Sequence, residues 1–459
     1  MAHKMNTVDG YNLLHRGAVA LAEVEANGMR IDVDYLDGAI RDTAARIRKL
    51  EKRLMECEEY KLQRRRYGTN TNLTSRDQLS AVLFGDMGHE PLTATATGKP
   101  QLDETALERI GTKYARKFLL LEKLNKLHGT YLTGVRREVE GEFVHANFGL
   151  HLVRSYRGQS DNPNLQNVPI RDDVQGPIIR RAFIPRPGNA IVEMDYSSLE
   201  VMVACALSGD PKLTYDAQEG DMHRDMAAEC YKLDPGDVEK AVRQNTKGGF
   251  VFAEFYGDWY KQVTRNLWDG IDRYGLTAHG ATLHEHLRAQ GITGRGECDP
   301  RVEPVRGTFE HHIKKVEDRF WNERFKVYHA KRKRWVAEYK RDGYIDLVTG
   351  FRCRGPMSKN QVMNYHIQGP AFHCLLWSLT EILRQMKKSR MGGCIIGQIH
   401  DSIIADVPLA ELDDYLALAS DIATNQLRRH WPWITVEFEV EAEVAETNWY
   451  EKREVKIAA

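Results

Sequence analysis

The sequence predicts an α+β protein with two long N-terminal helices and an antiparallel sheet that a helical segment interrupts. Apolar residues recur three and four positions apart at residues 36–56 and again at 114–133, with charged residues between them, which indicates amphipathic helices. The turn-rich sequence that separates these helices includes the basic run Arg64-Arg65-Arg66. Periodicity alone leaves two alternatives open, a stalk with a basic tip or a plain helical hairpin.

Strand patterns on both sides of the helical middle predict the sheet. Residues 190–195 have a short strand pattern, and residues 395–407 form two strands around the turn at His400-Asp401-Ser402. Residues 434–444 alternate strictly between apolar and polar side chains, which is typical of a half-buried strand. Because the helical residues 220–345 lie between the first strand and the others, we expect them to form a domain inserted into one antiparallel sheet.

Composition indicates a multidomain protein that needs no membrane. The 459 residues suffice for about three domains. Lys plus Arg and Asp plus Glu number 65 each, which argues against a histone-like coat but not against a local basic face for nucleic acid. The seven cysteines include no C-x-x-C pair, as expected of reduced thiols. Since neither a secretory signal nor a membrane-length apolar run is present, we expect a cytoplasmic protein.

Two aspartates stand at predicted strand ends, directly after apolar residues. Asp195 ends the 190–195 strand, and Asp401 lies at the tip of the 395–407 hairpin. Two carboxylates that meet at one end of a sheet repel each other unless cations lie between them. Two Mg²⁺ ions held by two aspartates fit phosphoryl transfer, in which one ion activates a 3′-hydroxyl and the other neutralises the leaving pyrophosphate. Taken alone, each motif favours the simpler interpretation of an ordinary turn residue.

A predicted helix at residues 237–257 carries two cations on one face, because Arg243 and Lys247 are four residues apart. Such cations repel each other unless they bind an anion, and a triphosphate is an anion that suits both side chains. Phe252 and Tyr256 offer flat faces for a base or a ribose. The alternative is a solvated charged face, which is the usual meaning of an isolated R-x-x-x-K pair.

Five segments, in this order, resemble the family A DNA polymerases. The most specific is P-N-L-Q-N-x-P-x-R, and only about residues 258–318 lack a clear counterpart in the family. The five segments are SYRGQSDNPNLQNVPIR (155–171), DYSSLE (195–200), DMHR (221–224), the helix with Arg243, Lys247 and Tyr256-Gly257, and NYHIQG (364–369) paired with QIHDS (398–402).

The resemblance implies a right-hand polymerase fold with an antiparallel-sheet palm, helical fingers and a helical thumb. The stalk becomes the thumb, the sheet the palm and the inserted helices the fingers. The expected domains are residues 1–143 for the N-terminal segment and thumb, 144–215 for the first part of the palm, 216–345 for the fingers with the insertion at about 258–318, and 346–459 for the second part of the palm.

The resemblance further implies a template-directed DNA polymerase that adds deoxynucleotides to a primer 3′-hydroxyl. Two Mg²⁺ ions, for which Mn²⁺ substitutes, are expected at Asp195, Asp401 and the backbone carbonyl of Tyr196. Lys247 is expected to protonate the leaving group, and Glu200 to block a 2′-hydroxyl. The implied nucleotide-binding set is Arg243, Lys247, His223, Glu200, Phe252, which stacks at the incoming nucleotide, and Tyr256, which occupies the template-base site.

The implied partners are primer–template DNA and deoxynucleoside triphosphates. The minor groove presents an acceptor on every base, so side-chain donors there check the shape of a base pair without reading its sequence. We expect a monomer that works with a separate exonuclease, helicase or processivity factor, in a bacterium or a phage-infected cell. The residues implied to contact DNA are Arg157, Asn164, Gln166, Asn364, Gln368 and His400.

Three departures from the family pattern matter. Ser402 stands where the family usually has Glu, so we expect activity but an altered metal affinity or primer-end alignment. The interval from Lys247 to Tyr256 is one residue longer than usual, which a π-bulge would absorb. Anchoring on Tyr256 places Phe252 at the sugar, whereas anchoring on Lys247 places Val251 there, and we favour the aromatic residue. Thumb-like sequence begins near residue 17, so we expect no proofreading exonuclease.

Two other functions compete with this interpretation. A single-subunit RNA polymerase shares the aspartate pair and the Arg-Lys-Tyr helix, but Glu200 would meet the hydroxyl of a ribonucleotide. A catalytically silent DNA-binding replication protein is favoured only by Ser402 and by the extra residue in the helix.

Two segments keep open interpretations. Residues 324–341 interleave cations with Tyr328, Trp335 and Tyr339, which indicates either a track for single-stranded template or a solvated helix with buried rings. The unmatched insertion contains histidines and Cys298, whose spacing fits no standard zinc finger and favours solvated side chains. The histidines are His279, His284, His286, His311 and His312.

Overall fold

A five-stranded antiparallel sheet forms the centre of the computed structural model, which describes residues 6–91, 98–170 and 172–457. The strand that precedes the helical segment lies in the middle of this sheet and pairs on both sides with strands that follow the segment. The helical segment is therefore inserted between strands of one antiparallel sheet, as the order of patterns in the sequence predicts. From one edge to the other the strands are Cys394–Ile399, Ser402–Pro408, Asn189–Tyr196, Val440–Ala445 and Arg453–Val455.

Both faces of the central strands are covered, which is why these strands are apolar almost throughout. All residues from Ala190 to Met194 are buried, and so are all from Ser402 to Val407. Helices pack against the sheet. The helices of this region are Gln175–Arg180, Lys359–Ser389, Leu412–Asp421 and Leu427–His430, with a π-helical turn at Ile422–Gln426.

The predicted strand at 434–444 is wrong in its first half, because the observed strand is Val440–Ala445. Ile434, Val436 and Phe438 are buried, as the alternation predicts. Their segment does not join the sheet, however, because Val440 pairs with Tyr196, the last residue of the neighbouring strand. Burial of alternate side chains thus continues beyond the point where the backbone still has a partner.

The two predicted N-terminal helices are present and pack against each other. The first begins at Val33 and the second at Lys113, and the second continues through a π-helical turn at Leu127–Leu132. Short helices surround their tips. The helices of this region are Thr7–Asn27, Val33–Met55, Glu58–Tyr67, Arg76–Ser80, Glu104–Ile110, Lys113–Lys126 and Thr133–Arg137, with a second π-helical turn at Ala81–Asp86.

The helical segment inserted into the sheet also touches the N-terminal helices. Arg273 Nε lies 3.2 Å from Glu108 Oε2, and the same guanidinium donates to the Thr105 hydroxyl. The helices are Leu199–Ser208, Pro211–Gln218, Met222–Tyr231, Lys240–Thr246, Ala253–Tyr256, Tyr260–Tyr274, Leu283–Ala289, Phe309–Arg319 and Lys326–Asp342, with π-helical turns at Lys247–Phe252 and Phe320–Arg324.

Short strands pair outside the main sheet. They are Met29–Arg30, Val139–Glu140 and Phe143–Val144, then Asn147–Gly149 with Gln159–Asp161, Thr277–Ala278 with Ala281–Thr282, and Tyr344–Asp346 with Arg352–Arg354. Across the ranges that the structure describes, no helix is both long and apolar enough to cross a membrane.

Candidate active site

The two aspartates predicted as metal ligands lie side by side at one end of the sheet. Asp195 pairs in register with Ser402, the residue that follows Asp401. The backbone N–H of Tyr196 donates to the carbonyl oxygen of Asp401 at 3.3 Å. The fold therefore joins two motifs that lie far apart in the sequence, and it does so through strand pairing.

Both carboxyl groups are held in an environment that disfavours their charge. Burial, together with repulsion from Asp401 and despite a hydrogen bond from Ser402, raises the pKa of Asp195 to about 6. Burial and the charge of Glu200 raise the pKa of Asp401, although Arg157 opposes the shift. The Asp195 side chain nevertheless keeps an exposed edge, through which a cation can reach it. This pair is suited to binding cations.

The donor atoms available here fit Mg²⁺. This ion prefers oxygen ligands and usually binds through one or two carboxylates together with substrate phosphates. In the described part of the chain, no group of three or more His, Cys, Asp or Glu side chains is placed to hold a metal ion. An ion at Asp195 and Asp401 would therefore take further oxygen ligands from backbone, water or a bound substrate.

A cavity of about 330 Å³ opens beside Asp401. Its walls include residues of helices Leu199–Ser208, Ala253–Tyr256 and Lys359–Ser389. Eight of the predicted site residues line it, namely Arg157, Glu200, Phe252, Tyr256, Asn364, Gln368, His400 and Asp401.

Glu200 connects two walls of this cavity. Its carboxylate accepts a hydrogen bond from the Tyr256 hydroxyl at 3.1 Å and another from Arg157 at 3.4 Å. Burial and the charge of Glu200 raise the pKa of Tyr256 to about 12, so this hydroxyl stays protonated and donates. The Asn364 amide donates to the Tyr256 carbonyl at 3.1 Å. These contacts hold the ring of Tyr256 at the mouth of the cavity.

The predicted phosphate-binding residues also lie together. Burial, with the positive charges of Lys247 and Arg243, lowers the pKa of His223 to about 4, so its imidazole is neutral at pH 7. The His223 and Lys247 side chains both contact the ring of Phe252, at 5.7 Å between ring centres and 5.3 Å from Nζ to the ring centre. An anion bound here would be neighboured by two cations and an imidazole.

Asp221 is a site residue to which the sequence interpretation gave no role. Arg243 Nε donates to both of its carboxylate oxygens, at 2.9 and 3.0 Å. Asp221 also accepts from the backbone N–H of Arg224, as the cap of helix Met222–Tyr231. An anion that approaches Arg243 must therefore compete with Asp221. The signal was present in the D-M-H-R motif, where an aspartate precedes a helix.

The extra residue between Lys247 and Tyr256 lies in a π-helical turn, Lys247–Phe252, as predicted. After this wide turn, Phe252 and Tyr256 are 38% and 48% exposed, whereas Val251 is 1% exposed. Phe252 also lines the cavity beside Asp401, and Val251 does not. The geometry therefore favours the aromatic residue at the sugar position.

Two of the residues predicted to contact DNA lie beside the cavity rather than in it. The Asn164 side chain caps the short helix Leu165–Asn167. Gln166 donates to Gln398 at 3.1 Å, and Gln398 donates in turn to the His400 carbonyl at 2.7 Å. These bonds support the turn that carries Asp401. Arg171, the last residue of the most specific motif, lies outside the described residues.

The basic run at 324–341 has two of its three rings inside the protein. Tyr328 and Trp335 are buried, and the Tyr339 hydroxyl donates to the Gly355 carbonyl. Arg332 is also buried, and its guanidinium donates to the backbone carbonyls of Glu254 and Phe255. The interpretation as a stacking track for single-stranded DNA is therefore wrong for Tyr328 and Trp335, whose rings are not available to bases, and it stays a prediction for the half-buried Tyr339.

Exposed cations remain on this helix, and they give a first prediction. We expect the double variant Lys333→Gln, Arg334→Gln to leave the salt dependence of DNA binding unchanged. These two exposed side chains form an ordinary solvated face, because the rings of Tyr328 and Trp335 on the same helix are buried. Titrations of primer–template DNA at several salt concentrations measure the slope. A slope shallower by about one for each removed cation would mean that both residues contact phosphates.

The histidines of the insertion have separate partners. His284 lies 3.0 Å from Asp272, His286 contacts the Lys232 carbonyl, and His312 contacts the Glu229 carbonyl. The rings of His279 and His286 also lie 5.7 Å apart between centres, and in the described residues no group of three or more His, Cys, Asp or Glu side chains is placed to hold a metal ion. The sequence favoured solvated histidines, but of these five only His279 is exposed, and the other four are half-buried.

Comparison with known proteins agrees with this geometry. Residues 40–451 match the sequence model of DNA polymerase family A. The thermostable DNA polymerase I of Thermus filiformis is 30% identical over 414 residues, which cover 88% of this chain and 44% of that protein. DNA polymerase I of Bacillus subtilis is 26% identical over 445 residues, which cover 95% of this chain and 45% of that protein. The chain thus spans less than half the length of these relatives.

A solved structure has the same fold. It is the POL domain of Pol1 from M. smegmatis in complex with DNA primer-template and dNTP. The two chains are 22% identical and superpose with a TM-score of 0.73, over 95% of this chain and 70% of that one. This likeness confirms the predicted α+β right-hand polymerase fold.

Proposed function

This chain belongs to DNA polymerase family A, and on that basis we propose that it adds deoxynucleotides to the 3′-hydroxyl of a DNA primer under the direction of a template. The observation that carries the proposal is the placement of Asp195 and Asp401 at one sheet end, beside a cavity walled by Glu200 and Tyr256. The proposed domains are residues 1–143 for the N-terminal segment and thumb, 144–215 and 346–459 for the palm, and 216–345 for the fingers, with the insertion at about 258–318.

We propose that Asp195, Asp401 and the backbone carbonyl of Tyr196 hold two Mg²⁺ ions. When bound, these ions would lower the pKa of the primer hydroxyl and neutralise charge on the leaving pyrophosphate. The chain's own residues bind and orient the reactants. Arg243 and Lys247 hold the triphosphate, and the Lys247 ammonium gives a proton to the pyrophosphate oxygen as it leaves.

We propose that Glu200 selects deoxynucleotides. Its carboxylate is fixed by Tyr256 and Arg157 on the cavity wall, where a 2′-hydroxyl would meet a charged group already engaged on both sides. In the proposed pose, the remaining DNA-binding residues Asn364, Gln368 and His400 contact the primer–template from the other wall.

This selection gives a second prediction, which also separates the DNA polymerase from an RNA polymerase. We expect Glu200→Ala to raise kcat/KM for ribonucleotides relative to deoxynucleotides on the order of 10²-fold, the size of discrimination that a single pocket contact supplies. Single-nucleotide incorporation of dCTP and CTP by both proteins measures it. If the parent protein already uses CTP as well as dCTP, the chain is the RNA polymerase-like alternative.

The direct test of the proposal is extension of a labelled primer on a DNA template with Mg²⁺ and deoxynucleotides. Template-dependent extension by the parent protein supports the proposal. Tight primer–template binding without extension would contradict it and would favour the alternative of a catalytically silent DNA-binding protein. The absence of a 3′–5′ exonuclease is part of the same proposal. The labelled primer, incubated with protein and Mg²⁺ but without nucleotides, should therefore keep its length.

A further inference from the structure

Ser402 occupies a position from which it can act on one proposed metal ligand. It stands directly opposite Asp195 in the paired strands, and its hydroxyl donates to Asp195 Oδ1 at 2.9 Å. The serine is only 6% exposed, so its side chain faces the carboxylate rather than the open cleft. Ser402 therefore does not reach out to a primer or to bulk solvent, as a longer side chain at this place would.

The surroundings of Asp195 explain why a neutral donor suits this position. Asp401, Glu193 and Glu441 all place negative charge near Asp195 and disfavour its ionised form, whereas the Ser402 hydroxyl favours it. A Glu at position 402 would add a further negative charge directly across the strand pair. A hydrogen bond to a carboxylate also fixes which oxygen faces the neighbouring strand, and so which oxygen points into the cleft.

We propose that Ser402 is a positioning residue that holds the Asp195 carboxylate in its metal-binding orientation by donating a hydrogen bond to it. This inference rests on the proposed function, since it concerns one of the proposed metal ligands. It assigns to the hydroxyl an effect on metal binding and on the chemical step, and none on primer–template binding.

The chain offers a matched control for this inference. Ser197 lies beyond the same end of the central strand, and its hydroxyl donates to Glu441 Oε1 at 2.9 Å. It is thus a second serine-to-carboxylate hydrogen bond of equal length at the same sheet end. Its acceptor is not a proposed metal ligand, so Ser197→Ala removes a similar bond while the hydrogen bond from Ser402 to Asp195 stays in place.

The test compares Ser402→Ala, Ser402→Cys and Ser402→Thr with Ser197→Ala and the parent. Binding of Mn²⁺ alone, followed by electron paramagnetic resonance of the free ion, is read beside kcat and KM in primer extension. We expect Ser402→Ala to weaken Mn²⁺ binding and to lower kcat by about 10-fold each, the size expected for a hydrogen bond to a charged group. KM for primer–template should not change, and Ser197→Ala should match the parent.

Cysteine keeps the size of serine but donates weakly, so we expect Ser402→Cys to behave like Ser402→Ala. Threonine keeps the hydroxyl, so we expect Ser402→Thr to stay within about threefold of the parent. The inference is overturned if Ser402→Ala binds Mn²⁺ as the parent does, or if Ser402→Cys does so. It is also overturned if Ser402→Thr binds Mn²⁺ as weakly as Ser402→Ala while melting at the parent's temperature.

Failure of the proposed function has a different signature. A parent protein that binds Mn²⁺ but does not extend primers would contradict the polymerase proposal. The Mn²⁺ affinities of the same variants would still decide whether the Ser402 hydroxyl positions Asp195. The two proposals therefore fail separately.

Discussion

Asp401→Asn is expected to lower primer extension by at least about 10³-fold, the scale of losing a group that stabilises charge in the transition state. Asparagine has the size of aspartate but no charge, so it should not hold a divalent ion beside Asp195. Because burial and the charge of Glu200 raise the pKa of Asp401, its ionised form costs stability at neutral pH. The variant should therefore melt no lower than the parent and should bind primer–template equally well.

Asp406 provides the matched control, because it lies on the same hairpin and receives the same substitution. This carboxylate is 0% exposed and accepts hydrogen bonds from the Arg186 backbone and guanidinium and from the Asn189 amide. Replacing it leaves the Arg186 charge without its partner, which costs about 3–5 kcal/mol in buried pairs, less where one partner is partly exposed as here. We expect Asp406→Asn to melt lower while keeping primer extension at low temperature.

The two variants are read in one experiment, in which thermal melting, primer–template affinity and single-turnover extension are measured for each. The expected pattern is opposite for the two aspartates, with chemistry lost at Asp401 and stability lost at Asp406. Substantial extension by a folded Asp401→Asn protein would contradict its proposed role as a metal ligand. A loss of activity in both variants, in step with their melting temperatures, would mean that the hairpin is needed only for folding.

The fold was predictable from sequence wherever apolar pattern and chain order act together. The apolar residues before Asp195 and around Asp401 predict strands, and the helical segment between them leaves pairing in one sheet as the simple solution. The prediction of a strand at residues 434–439 was wrong because alternation indicates which side chains are buried, not whether a neighbouring backbone is available for pairing. Only the length of the partner strand, which ends at Tyr196, decides that.

The site was predictable as a set of residue types, and less so as a set of contacts. The bond between Arg243 and Asp221 depends on how helix Met222–Tyr231 packs against helix Lys240–Thr246, which no local pattern encodes. The same holds for Tyr328 and Trp335, since rings interleaved with cations suit either a core or a nucleic-acid surface. The π-helical turn after Lys247 was predictable. When one extra residue lies between two side chains that keep their places on a helix, a local π-helical turn accommodates it.

The bond between Arg243 and Asp221 has a consequence for nucleotide binding. Burial raises the pKa of Asp221, but the hydrogen bonds from Arg243 and from the Arg224 backbone bring it below its usual value, so Asp221 is charged at neutral pH. An arriving triphosphate must displace this carboxylate or share the guanidinium with it. The Lys247 ammonium lies 5.3 Å from the centre of the Phe252 ring, and this side chain provides a second test of the same segment.

Lys247→Ala is expected to lower kcat/KM for deoxynucleotides by about 10²–10³-fold, as removal of one charge-stabilising donor does elsewhere. Lys247→Arg should recover the part of this loss that concerns triphosphate binding, but not the part that needs a proton for the pyrophosphate, because a guanidinium does not release its proton. Lys388→Ala, at an exposed position on the long helix Lys359–Ser389, is the control, and its kcat/KM should match that of the parent. Single-turnover rates across deoxynucleotide concentrations separate the two parts.

A second readout of the same variant does not depend on catalysis. Burial is the first cause of the low pKa of His223, and the charge of Lys247 is the next. Removing that charge should therefore raise the pKa of His223 from about 4 towards its ordinary value, without reaching it, because burial persists. Nuclear magnetic resonance of the imidazole measures this shift in the protein without nucleotide. An unchanged His223 pKa together with unchanged kinetics would show that Lys247 points away from the phosphate site, and the triphosphate would then have to bind elsewhere on this helix.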